Sequence, residues 1–124
     1  MINEKIFQSI FDELSQYLFE NWKSLVVYLE YGVASYSFTF FVKKEDEYVN
    51  CYDIPNVSED LIDKSFEKID LLVREERMKN EGSLWTNMTM VISSTGDVHV
   101  DFDYSDLSEG SYQYFKEWKA KYIN

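Results

Sequence analysis

The sequence predicts an α+β domain in the order α-β-β-β-α-β-β-α, an antiparallel sheet with helices packed on one face. Two observations carry that expectation. Apolar residues recur every third or fourth position in three segments and every second position in three others, from Leu25, from Tyr36 and from Val98. The connections among the first three strands, and between the last two, are short and charged or glycine-containing, which implies antiparallel pairing.

The elements follow in order. Over residues 4–20, Ile6, Phe7, Ile10, Phe11, Leu14, Tyr17 and Leu18 lie on one helical stripe. From Trp22 the period shortens: Leu25, Val27, Leu29 and Tyr31 alternate with Val26, Tyr28 and Glu30, predicting a strand. Gly32 and Ala34 mark a turn, and Tyr36, Phe38, Phe40 and Val42 alternate with Ser35, Ser37 and Thr39 in a second strand. The charged turn Lys43-Lys44-Glu45-Asp46-Glu47 leads to a third strand over Tyr48 to Ile54, ended by Pro55. Ser58 is suited to cap a helix whose first turn holds Glu59 and Asp60, near the positive end of its dipole. Its apolar stripe is Ile62, Phe66, Ile69 and Val73; it runs to about Met78 and is stopped by Asn80, Glu81 and Gly82. Trp85 to Ile92 predicts a fourth strand, and Ser94-Thr95-Gly96-Asp97 a hairpin turn. In the fifth, Val98, Val100, Phe102 and Tyr104 alternate with His99, Asp101 and Asp103, giving one very acidic face. A last helix from Glu109 to Tyr122 carries Tyr112, Phe115, Trp118 and Lys119.

Composition bounds the function. The 124 residues suit a single domain spanning 1–124, and nine Phe, ten Tyr and three Trp supply a core without disulfide or metal. Twenty-three acidic against twelve basic residues leave a formal net charge of −11. That charge argues against nucleic acid and anionic membranes as partners and favours a basic protein. The single cysteine, Cys51, forms no internal disulfide, which suits a reducing compartment. Neither a secretory leader nor a membrane span is legible, so a cytoplasmic location is expected.

Catalysis finds little support. His99 is the one histidine, so any Ser-His or Cys-His pair would have to use it. Cys51 reads as a small core residue. Gly82 and Gly96 stand alone and match no phosphate loop, so no cofactor is expected. His99, Asp101 and Asp103 share a strand face and have the donor chemistry of a divalent-metal site, which keeps a small metal-dependent enzyme as a minor alternative. The competing reading of the three is a solvated outer face opposite Val98, Val100 and Phe102.

The acidic clusters Glu45-Asp46-Glu47, Asp53, Glu59-Asp60 and Asp101, Asp103, Asp106, Glu109, if they converge, make a carboxylate-rich patch interspersed with Tyr48, Tyr52, Tyr104 and Tyr112, and acids beside tyrosines are a protein-binding composition. Glu45, Asp46, Glu47, Tyr48, Asp101, Asp103, Asp106 and Glu109 are therefore the candidate contact residues. The chain reads as a binding protein and not an enzyme. An adaptor module with an acidic surface is the alternative, and homodimerisation stays open because exposed aromatics could serve either interface.

The second half carries a further pattern. Trp85-Thr86 opens a strand, Phe102-Asp103-Tyr104 ends the next, and the chain closes with Trp118-Lys119-Ala120-Lys121-Tyr122. Upstream, Trp22 follows the first helix and an aromatic-rich strand pair follows it. The chain resembles the YezG-like immunity protein family across nearly its whole length in element order, most specifically in these two aromatic motifs. It departs from the family in its ending, where the family reads closer to WKYKYLG, and in a short loop after Tyr104. The resemblance implies an antitoxin that neutralises a cognate toxin domain, commonly a nuclease, delivered in bacterial competition such as contact-dependent growth inhibition.

Overall fold

A computed structural model describes residues 4–32, 34–79 and 84–123. Among the described residues, three helices, α1 (Glu4–Leu14), α2 (Glu59–Met78) and α3 (Tyr112–Tyr122), accompany five strands. These are β1 (Trp22–Tyr31), β2 (Tyr36–Lys44), β3 (Glu47–Asn50), β4 (Asn87–Ser93) and β5 (Val98–Asp103). They form one antiparallel sheet in the order β3-β2-β1-β4-β5. The fold is α+β with the expected element order.

Several boundaries shift for local reasons. The first helix passes into a 3-10 turn at Ser15–Tyr17, where Ser15 Oγ and Gln16 Nε2 donate to the Asp12 and Glu13 carbonyls. The third strand stops at Asn50, not Ile54. Asn50 Oδ1 accepts the Tyr52 N–H at 2.9 Å and folds Cys51–Asp53 into a 3-10 turn. The fourth strand starts two residues after Trp85, whose carbonyl is taken by Arg77 Nε at 2.6 Å. The last helix begins at Tyr112 because Gly110 stands at φ 118°, which no helical residue adopts. Ser58 caps α2 as expected, accepting the Leu61 N–H at 3.2 Å. The stop assigned to Asn80, Glu81 and Gly82 lies outside the described residues.

Helices lie on both faces of the sheet, not one. α1 and α2 cover Leu25, Val27, Leu29, Phe38, Phe40, Met88 and Met90. α3 covers the opposite face, where Trp118 packs with Val26, Tyr28 and Phe41. The cause is β1: Leu25 to Leu29 are five consecutive buried residues, so both faces of the central strand need cover. The Tyr28 ring meets Phe115 and Trp118 edge-on at 4.9 and 4.7 Å, and Trp118 Nε1 donates to the buried Thr89 Oγ1 at 2.8 Å.

Candidate functional site

Among the described residues, β5 is an edge strand, and its two faces differ. Its alternation sends His99, Asp101 and Asp103 to the α3 side and Val98, Val100 and Phe102 to the α1 side. The acidic face is not simply solvated. α3 presents Tyr114, Trp118 and Tyr122, one per turn, toward the sheet. Tyr122 Oη donates to Asp101 Oδ2 at 2.6 Å and Tyr114 Oη to Asp103 Oδ2 at 2.9 Å. Asp103 Oδ1 also accepts the Ser105 N–H and hydroxyl, which turns the chain out of the strand. Asp106 accepts the Ser108 N–H at 2.9 Å in the following loop.

These bonds keep the acids ionised. The Tyr122 hydroxyl holds the Asp101 carboxyl below its ordinary range, with help from His99. The Ser105 hydroxyl does the same for Asp103, and the Ser108 N–H for Asp106. Burial, then the bond to Asp101, pushes Tyr122 up to about 12, so it stays a donor at neutral pH. Between α3 and β4–β5 lies a cleft of about 320 Å³. It is lined by Asp101, Asp103 and Glu117 against one cation, Lys121, with Tyr114, Trp118 and Tyr122 as aromatic walls.

The metal set weighed from the sequence does not assemble. His99 Nε2 reaches Asp101 Oδ1 at 2.9 Å, while Asp103 is turned to Ser105 and Tyr114. Among the described residues, no group of three or more His, Cys, Asp or Glu is placed to hold a metal ion. Cys51 is a buried core residue whose thiol is pushed up by burial, away from nucleophilic use.

The two acidic clusters fall far apart. Glu45 and Asp46 form the exposed β2–β3 turn, with Glu45 at φ 56°, and Tyr48 carries the Lys43 ammonium 5.3 Å from its ring centroid. Lys44 pairs with Trp22 on β1, whereas Asp103 pairs with Asn87 and, through it, is level with Glu30. Eight residues along the strands and about three strand spacings across put the groups roughly 30 Å apart, at diagonal corners. Lys43 and Lys44 also offset much of the charge of the turn. The structure thus brings Asp101 and Asp103 together with Tyr122 of the closing aromatic motif and with Tyr114 and Glu117, which are not among the candidate contact residues. It leaves Glu45, Asp46, Glu47 and Tyr48 at the other edge, and Asp106 and Glu109 exposed in the loop beyond β5.

The sequence is similar to known immunity proteins. An "Immunity protein YezG" of Bacillus spizizenii is 29% identical over 114 residues, covering 82% of this chain and 68% of that protein. An "Immunity protein YezG" of Bacillus subtilis is 24% identical over 112 residues, covering 84% of this chain and 74% of its own. The family described as "Immunity protein YezG-like" matches residues 3–124, which takes in all three helices, all five strands and the acidic edge. The chain therefore belongs to the YezG-like immunity protein family.

Proposed function

We propose that this protein binds a cognate bacterial toxin domain, a basic nuclease, in the cytoplasm of the producing cell and blocks it through the acidic and aromatic edge formed by β5 and α3. The observation that carries the reading is the cleft beside Asp101 and Asp103. Carboxylates held ionised and oriented by tyrosines meet a basic partner without a large ordering cost. A nuclease groove is lined by cations that hold phosphates, and fixed carboxylates compete for them. A net charge of −11 speeds the encounter at low salt.

Co-expression with the toxin domain encoded beside the gene tests this directly. Growth is rescued, and the two proteins purify together in a one-to-one complex. The association rate falls as salt rises from about 50 to about 500 mM. An affinity and rate unchanged over that range would remove the acidic interface.

A further inference from the structure

On the face opposite the acidic cleft, α1 and α2 leave β5 partly uncovered. A groove of about 580 Å³ runs there, lined by Phe7, Phe11, Trp22, Met90, Val98 and Val100. Val98 at its lip is 56% exposed. The strand beside the groove has a free edge: among the described residues, only β4 pairs with β5. Its register shows which backbone groups are free. Ser93 N–H donates to the Asp97 carbonyl at 2.9 Å, closing the hairpin. Hydrogen-bonded pairs alternate in an antiparallel ladder, so His99 and Asp101 turn their backbone groups to β4. Those of Val98, Val100 and Phe102 point outward.

From this juxtaposition we infer that β5 accepts an extended segment of the toxin as a sixth strand, one whose side chains alternate apolar and basic. The inference rests on the toxin-binding reading above and specifies the contact. A strand laid on β5 places the residues opposite Val98 and Val100 over the apolar groove. Its intervening residues fall beside His99, Asp101 and Asp103, where Lys or Arg is favoured and Asp or Glu is repelled. Backbone bonds to the outward groups give affinity, and the two unlike faces give specificity.

A second copy of this chain fits poorly. In the longest antiparallel overlaps of two β5 edges, Asp97 lies opposite Asp103 with His99 opposite Asp101, or Asp101 lies opposite Asp101 with His99 opposite Asp103; the carboxylate pairs disfavour both overlaps. The acidic residues thus protect the edge from its own kind while leaving it open to a cationic strand.

The test is amide exchange and mutagenesis on the full chain with the toxin domain encoded beside its gene. In the wild-type complex, exchange at Val98, Val100 and Phe102 slows by roughly tenfold or more. Val98→Pro removes one outward N–H at the first residue of the strand, where the ladder to β4 does not need it. It weakens binding by about 30-fold or more, whereas Val98→Thr stays within about threefold. A complex that forms and rescues growth without slowed exchange at these amides, and with Val98→Pro binding as the wild type does, overturns the strand addition and leaves toxin binding intact. Slowed exchange in the protein alone, together with a dimer by sedimentation, assigns the edge to a second copy and overturns it too. Absence of any wild-type complex or rescue defeats the toxin reading, and this inference with it.

Discussion

Replacing Trp118 with alanine tests whether α3 is held by its face on the sheet. Trp118 is 4% exposed, with ring centroids 4.7 Å from Tyr28, 5.9 Å from Phe41 and 5.3 Å from Tyr122. Removing it leaves a large cavity and costs about 3–5 kcal/mol. Loss of the indole N–H adds little, because Thr89 Oγ1 keeps its bond to Asn87 Oδ1 at 3.0 Å. For a chain of this size the melting temperature drops by roughly 10–20 °C. α3 has 11 residues, and a helix that short is marginal by itself, so once undocked it unfolds. Trp118→Phe keeps most of the ring and costs about 1–2 kcal/mol. Urea denaturation followed by circular dichroism, with calorimetry, reads both. A Trp118→Ala loss under about 1 kcal/mol would show that α3 is not anchored through this residue.

Two further outcomes follow from the site. Asp101 and Asp103 have folded-state pKa values below the ordinary carboxylate range, so they contribute stability that is full above the unfolded value of about 3.9 and is lost as pH falls through the folded value. Tyr122→Phe removes the largest cause for Asp101 and shallows this acid limb in a pH series of denaturation curves; an unchanged limb would mean the bond does not hold the charge. Glu45→Lys with Asp46→Lys, at the far corner of the sheet, leaves affinity for the toxin domain within about twofold by calorimetric titration, and a larger loss would move the interface to the β2–β3 turn.

Most elements were legible because each carries its own period. Ser58 declared α2, and the alternation from Val98 to Asp103 declared β5 and its two faces. The side of the sheet taken by α3 was less plain, although a signal existed. Leu25-Val26-Val27-Tyr28-Leu29 is an unbroken apolar run, and such a run marks a strand covered on both faces. Reading it as simple alternation left Val26 and Tyr28 with no partner, and α3 with no face to cover. The spacing of Tyr114, Trp118 and Tyr122 by fours marks the stripe that meets them, whereas Tyr112 is 80% exposed. The separation of the acidic clusters was not legible. It depends on β1 lying between the β2–β3 and β4–β5 hairpins and pairing with β4, which local pattern does not encode.

In the proposed complex, charge and an apolar groove would have complementary roles. Charge alone gives fast capture, but exposed ion pairs contribute little to the lifetime of a complex. At β5 the two requirements meet on one strand, six residues long, with carboxylates on one side and Val98, Val100 and Phe102 on the other. In the proposed complex, changes at Asp101 or Asp103 would therefore bear on the association rate and its salt dependence, and changes at Val98 on dissociation. On the same reading, the charge would also allow the edge to stay open. An apolar free strand with neutral neighbours would pair with its own copies, and the alternating carboxylates make that pairing costly without closing the edge to a cationic strand.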